Sequence, residues 1–339
     1  MRIAKKHVNI PIFIPHLGCP NQCVFCNQRS ISGVEEFDAS TVNTTISEAL
    51  ETISPGTDVE IAFFGGSFTG IDRDLMIKLL GIANRYILDG SVKSIRCSTR
   101  PDYIDDEVID LLKLYGVNTV ELGLQSISEN VLCASRRGHT FDDCKRACTK
   151  LVDAGINLVG QMMIGLPCST FEDEIYTAKF IIDMGASAAR IYPTVVFYDT
   201  ELSEMYKSGI YSPLTIDEAV ERSAAVLEIF LDAGVDVIRI GLCSGEGLSD
   251  VSKYHSGPNH PALGELVESR IFYNRIVNLV KNMQIPPDKV MVVTVAKGAI
   301  SKAIGQKRIN KARLIKELGL TDIIFRESDF LSDYELTID

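Results

Sequence analysis

Apolar and polar positions alternate along this chain in two rhythms. Short runs of apolar, often β-branched residues recur at Val8–Ile14, Val59–Phe64, Ser94–Ser98, Thr119–Leu124, Leu158–Ile164 and Ala189–Val196, each of a length suited to a buried strand. Between them, apolar residues return every three or four positions over Thr41–Ile53, Asp74–Leu88, Asp105–Tyr115, Asp142–Ala154 and Phe171–Met184, the period of a helix with one buried face. Asp89-Gly90, Gly116 and Ala154-Gly155 punctuate the connections as helix stops and turns do. This alternation predicts right-handed βαβ units and a parallel sheet. Six units fall short of a closed eight-fold barrel, so the expected α/β fold is a partial (β/α)6 barrel, open on one side. Chemistry in such folds gathers at the C-terminal ends of the strands, where Cys19, Gly65, Ser98, Gln125, Gly165 and Pro193 fall.

The pattern continues with a helix over Ile216–Ala233, a strand over Val235–Ile240 and a Gly-rich stretch over 241–264. A helix over Leu263–Met283 follows, then strand Lys289–Val295, helices Gly298–Ile304 and Asn310–Leu318, and strand Asp322–Arg326. Pro286-Pro287 marks a boundary. Three parts result: a barrel over 1–240, a connecting helical segment over 241–284, and a small α+β module over 285–339.

Composition narrows the setting. With 46% hydrophobic and 23% charged residues, the chain has an ordinary globular composition. It contains no apolar run long enough to span a membrane, and its N-terminus lacks a signal-peptide core. Nine cysteines, three of them clustered, argue for a reducing cytoplasm rather than a disulfide framework. A net charge of −11 disfavours indiscriminate nucleic-acid binding. Yet Lys289 to Lys316 holds eight Lys/Arg and no Asp/Glu, as a confined RNA-binding site would; a solvated helix face is the alternative.

The densest chemistry is Cys19-Pro-Asn-Gln-Cys23-Val-Phe-Cys26, on the loop leaving the first strand. Three thiolates at this spacing can hold an iron–sulfur cluster and leave one iron of a four-iron cluster open. A structural zinc site would want a fourth ligand, for which His16 is the nearest candidate. Phe64-Gly65-Gly66-Ser67 ends the second strand, and paired glycines let backbone approach a ligand closely. Glu121, Gly123 and Gln125 share one strand face; a carboxylate and an amide among apolar neighbours call for a polar ligand or an internal hydrogen bond. Arg136 and Arg137 follow, suited to pairing with a carboxylate or to a surface turn. Gly165 ends the fifth strand and Tyr192-Pro193-Thr194 the sixth. Cys144 and Cys148 lie four apart on one helix face and read as core, whereas Cys168, Cys243 and Tyr192 are candidates for a catalytic role. His255-Ser-Gly-Pro-Asn-His260 reads as a substrate loop rather than a metal site.

The cysteine spacing, with Phe25 directly before the last thiol, resembles the radical S-adenosylmethionine (SAM) superfamily. Ser98-Thr-Arg-Pro-Asp-Tyr103, Val120-Glu-Leu-Gly-Leu-Gln-Ser126, Arg137-Gly-His-Thr140, Met162-Met-Ile-Gly-Leu-Pro167 and Ile191-Tyr-Pro-Thr194 are similar, in order and spacing, to the radical domain of the elongator catalytic-subunit family. That resemblance runs from Asn9 to Glu221. It implies a partial TIM barrel of the radical SAM type and a [4Fe-4S] cluster on Cys19, Cys23 and Cys26. SAM would be held by Phe25, Gly65, Gly66, Ser67, Ser98, Glu121, Gln125, Arg136 and Gly165. It further implies generation of a 5′-deoxyadenosyl radical with electrons from a donor such as flavodoxin or ferredoxin, in a transferase or oxidoreductase that modifies an RNA base, in tRNA above all.

Three departures stand out. The first cysteine interval is shorter than in the elongator proteins and more like that of oxygen-independent coproporphyrinogen oxidase. Ser98 stands where related proteins often place a carboxylate. No convincing acetyl-CoA loop follows the radical domain, so the elongator acetyltransferase is not expected here. The basic segment Ile304-Gly305-Gln306-Lys307-Arg308-Ile309-Asn310 lies in a β-α-α-β pattern that resembles a KH fold, whose G-x-x-G loop clamps a nucleic-acid backbone; Arg308 replaces the second glycine. RNA contact is expected at Gly305, Lys307, Arg308 and Lys311, with a structural cap as the alternative. Two rival functions remain: a radical SAM enzyme acting on a small molecule such as a porphyrin, and a non-catalytic metal-containing RNA-binding protein.

Overall fold

The computed structural model describes residues 7–14, 17–19, 23–27, 37–242, 254–281, 283 and 289–339. Strands β1 (His7–Ile14), β2 (Asp58–Gly65), β3 (Ser94–Thr99), β4 (Val117–Gln125), β5 (Asn157–Ile164), β6 (Ala188–Pro193) and β8 (Asp236–Ile240) lie side by side in that order. Every neighbouring pair is parallel. The sheet curls into a half-barrel, and the strand over 236–240 extends the expected six to seven. Helices α1 (Val42–Thr52), α2 (Arg73–Leu88), α3 (Asp106–Leu114), α5 (Phe141–Asp153), α6 (Phe171–Asp183) and α8 (Ile216–Asp232) lie in the crossovers.

The helices cover the sheet because their sequences carry a buried stripe: Met76, Leu79, Leu80 and Ala83 on α2, and Cys144, Ala147, Cys148 and Leu151 on α5, join the strands in the main core. Their starts are specified locally. Thr140, Thr170 and Thr215 each form a reciprocal capping box with Asp143, Asp173 and Glu218, which satisfies otherwise orphaned backbone N–H groups.

Five short helices and strands escape the sequence reading because they are too short to show a period. They are α4 (Glu129–Ala134), α7 (Glu201–Lys207), β12 (Leu336–Ile338) and the ribbon of β7 (Val196–Phe197) with β9 (Tyr254–Ser256). The ribbon corrects the expected sixth strand: its last residue, Val196, pairs with Ser256 instead of continuing β6.

Helix α9 (Leu263–Lys281) packs Leu263, Val267 and Ile271 into the main core, and Phe272, Tyr273, Ile276 and Val280 into a second one. That second core belongs to a small module. In it β10 (Val290–Ala296) pairs in parallel with β11 (Asp322–Ser328) and antiparallel with β12, with α10 (Ile300–Ile304) and α11 (Ile309–Leu318) between β10 and β11. No described helix is long and apolar enough to cross a membrane.

Candidate active site

The chain leaving β1 crosses over the end of β2. Gly66 N–H donates to the Ile14 carbonyl at 2.7 Å and Ser67 N–H to the Leu17 carbonyl at 3.1 Å. A Cβ on Gly66 would stand 2.2 Å from the Leu17 oxygen, and one on Gly18 2.1 Å from the Ser67 oxygen. Glycine is therefore required on both sides of this crossing. The paired glycines divide their work: Gly66 lets the cysteine loop pass, while Gly65 borders the cavity beneath it.

Beyond the crossing, the loop is anchored by the two short helices. Val24 N–H donates to the Ser135 carbonyl after α4 at 3.2 Å, and the Val24 carbonyl accepts from Leu202 of α7 at 2.8 Å. Val24 packs with Val196, Leu202 and Tyr211, and Phe25 lies against groups that include Val131, Met163 and Leu166. Cys23 is buried, Cys19 exposed and Cys26 intermediate, and Cys26 lines the cavity. Among the described residues, no three His, Cys, Asp or Glu side chains stand together as a formed metal site. His16 and Cys243 lie outside the described residues.

The cavity has a volume of about 550 Å³, in the range of small-molecule sites, and opens at the C-terminal strand ends. Of the expected residues, Phe25, Cys26, Gly65, Ser98, Glu121, Gln125 and Tyr192 line it. Others do not reach it. Ser67 is buried beside it, its hydroxyl bonded to Thr99 Oγ1 at 2.8 Å and accepting from Arg100 N–H at 3.2 Å. Gly165 donates its N–H to Glu174 at 2.8 Å and accepts from the Tyr211 hydroxyl at 2.6 Å, so its backbone is engaged internally. Cys168 is exposed ahead of α6 and is not among the lining residues.

A belt of charged side chains crosses the barrel interior. Arg96 donates to Glu60 at 2.8 Å and 3.0 Å and to Glu121 at 2.9 Å. Glu121 also accepts from Arg190 at 2.8 Å and from Gln161 at 3.0 Å. The Arg190 guanidinium stands over the Phe64 ring and donates weakly to the Tyr192 hydroxyl at 3.4 Å. Burial would raise the Glu60 carboxyl, but hydrogen bonds from Ser94 and Arg96 outweigh it and hold the group below the usual carboxylate range. Glu121 thus organises the cavity floor through both of its oxygens.

The arginine beside the thiols is Arg137 rather than Arg136. Arg136 sits at φ 50° with its side chain exposed and paired with Glu201. Arg137, 6% exposed, donates from Nη1 to the Cys23 sulfur at 3.1 Å and from Nη2 to the Gly123 carbonyl at 2.6 Å. His139, 3% exposed, lies behind it; burial and then the charge of Arg137 push its pKa down to about 3, so the imidazole is neutral. Arg100 is buried too and holds Asp102 through two hydrogen bonds of 2.9 Å. The signal for Arg137 was its place within Arg-Gly-His-Thr, but sequence position alone does not separate it from its neighbour.

In the small module, the segment joining α10 and α11 carries Lys307 and Arg308 in the left-handed region, at φ 50° and 61°. Both residues thus take a backbone conformation that favours glycine. Both side chains are exposed. Gly305 (φ 79°) is needed at its position, since a Cβ would meet Ser269 Oγ at 2.9 Å. Lys311 is engaged with Asp322 at 2.8 Å.

A parallel half-barrel with a three-thiol loop over a cavity at its strand ends defines a class of cluster-dependent enzyme. The chain belongs to the radical SAM superfamily: that family's model matches residues 13–181 and the radical SAM C-terminal domain matches residues 186–272. Over 244 residues it is 30% identical to the tRNA uridine(34) acetyltransferase of Methanocaldococcus jannaschii, covering 60% of this chain and 45% of that one. It is 29% identical over 203 residues to Elongator complex protein 3 of Saccharomyces cerevisiae, covering 54% and 36%. The chain therefore spans about half the length of the archaeal relatives, 45% and 46%. Among solved structures, Methanocaldococcus infernus Elp3 superposes with a TM-score of 0.61 at 22% identity, over 84% of this chain and 69% of that one. The coproporphyrinogen III oxidase of Escherichia coli gives 0.50 at 15%, over 68% and 53%; both likenesses are of fold.

The cofactors of this family are a [4Fe-4S] cluster and SAM, and the residues present fit them. Besides the thiols, the surroundings hold buried polar atoms without a hydrogen-bond partner among the described residues: Gln125 Oε1, Arg100 Nη1 and Arg137 Nε. Such atoms are rare in a closed core and are what a polar cofactor would satisfy.

Proposed function

We propose that this chain modifies a base of RNA, in tRNA above all, by radical SAM chemistry at the cavity. The observation that carries the reading is the match of its half-barrel to the corresponding part of tRNA uridine(34) acetyltransferases, in a chain that also bears the exposed, basic Lys307-Arg308 segment. Cys19, Cys23 and Cys26 would hold the cluster; Gly65, Ser98 and Gln125 would contact SAM from the cavity wall. When bound, the two cofactors supply one-electron cleavage of a carbon–sulfur bond and hence a reactive carbon radical. The chain's own task is placement and exclusion. Phe25, Phe64 and Met163 make the cavity apolar around the reacting centre, and the Glu121 belt fixes Arg190 and Gln161 as polar contacts on its floor. Excluding water in this way protects a reactive intermediate from quenching.

The test is nucleoside mass spectrometry of tRNA from cells lacking the protein, beside SAM cleavage assays with and without tRNA. One modified nucleoside should vanish, and tRNA should stimulate formation of 5′-deoxyadenosine. An unchanged nucleoside profile, with cleavage stimulated by a metabolite and indifferent to tRNA, would replace this reading with the small-molecule one.

A further inference from the structure

We infer that Arg137 is a positioning residue that raises the reduction potential of the cluster through its hydrogen bond to the Cys23 sulfur. The inference rests on the cofactor assignment and not on the RNA substrate. Arg137 Nη1 lies 3.1 Å from Cys23 Sγ while Nη2 is fixed on the Gly123 carbonyl at 2.6 Å. The guanidinium is held at both ends of its fork, by the cysteine loop and by β4, and it is 6% exposed. Among the described residues, no acidic side chain is its hydrogen-bond or ion-pair partner, in contrast to Arg100, which Asp102 neutralises. Its positive charge is therefore directed at the thiol.

The consequence follows from charge. A [4Fe-4S] core carried by three thiolates is anionic, and the electron it accepts makes it more so. A buried cation with an N–H on a ligating sulfur stabilises the reduced state more than the oxidised one, because hydrogen bonds to the sulfurs, net charge and solvent exposure set cluster potentials. Charge-assisted hydrogen bonds of this kind are the strong ones. The electron comes from the one-electron donor, a reduced flavin or iron–sulfur protein, and no proton or bond rearrangement is required at Arg137.

The experiment is an EPR-monitored redox titration of the reconstituted protein without SAM, comparing wild type with Arg137→Gln and Arg137→Lys at matched iron content. Removing the charge should lower the reduction equilibrium constant at least tenfold, a fall of about 59 mV for a one-electron couple. Arg137→Lys keeps the charge but cannot hold both acceptors, so it should fall by less. Should Arg137→Gln fail to take up four irons, the lysine variant decides alone: a lowered potential supports the inference and an unchanged one overturns it. A shift that appears only after SAM is added would also overturn it, because Arg137 would then act on the bound SAM and not on the sulfur.

Discussion

A histidine buried beside a cationic arginine is held neutral by its surroundings. His139 is 3% exposed and lies beside Arg137, with burial the larger reason for a pKa of about 3 against an ordinary value of 6.5. The unfolded chain binds a proton at this residue below pH 6.5 and the folded chain does not until about pH 3. Stability is therefore greatest above the unfolded value and declines as pH falls through that window, by about 1.4 kcal/mol per pH unit at most. Urea unfolding of the metal-free protein between pH 7 and pH 5 should show this loss. The steeper acid slope should be reduced in His139→Gln, and equal slopes would place the titrating group elsewhere. The same neighbourhood shows what the sequence makes legible at this scale. Cys19, Cys23, Cys26 and Gly65 announce themselves by residue type, because few chemistries want clustered thiols or paired glycines at a strand end. Arg136 and Arg137 are equivalent in composition; only the left-handed turn at Arg136 sends one to solvent and the other to Cys23. Glu121 was legible as a buried carboxylate, but its partners Arg96 and Arg190 sit 25 residues before it and 69 after it. A strand-by-strand pattern does not connect them.

Regular elements were the most legible. Helices of nine residues or more show their stripe, and the capping threonines place their starts; α4 and α7, six and seven residues long, do not. Yet these short helices hold the cysteine loop, so the site depends on elements that carry no periodic signal. In the small module, the basic segment between α10 and α11 has the opposite character: its charge is obvious and its geometry is not. Lys307 and Arg308 are exposed in left-handed conformations, which cost more for such residues than for glycine. If they contact an RNA backbone, each neutralises about one phosphate, and each such contact contributes about 0.7 to the salt slope of single-strand binding. The double variant Lys307→Glu/Arg308→Glu should weaken tRNA binding and lower the slope of log K against log salt by about 1.4. Lys311, held by Asp322, should contribute less when reversed. Unchanged binding in the double variant would confine RNA recognition to the barrel.

At the scale of the molecule, α9 decides whether barrel and module act as one body. Its first half supplies Val267 and Ile271 to the main core and its second half Phe272 and Ile276 to the small one. A clasp reinforces the junction: Arg275 donates to Glu228 of α8 at 3.3 Å and to the Tyr334 carbonyl at 3.0 Å, while the Tyr334 hydroxyl donates to Glu268 at 2.8 Å. A helix shared by two cores transmits the loss of either. Ile271 is fully buried, and truncating such a residue to alanine costs about 2–5 kcal/mol. If the cores unfold together, Ile271→Ala should accelerate amide exchange in β10 and β11 as much as in β4 and β5, although the side chain belongs to the barrel core. Hydrogen exchange read by mass spectrometry distinguishes this from separate units, in which β10 and β11 would keep their protection. Coupling of this kind would let RNA bound at Lys307 and Arg308 stabilise the barrel as well, because a ligand that binds only the folded module shifts every equilibrium that includes its unfolding. An increase in barrel protection on adding tRNA, absent in the Lys307→Glu/Arg308→Glu variant, is the expected sign.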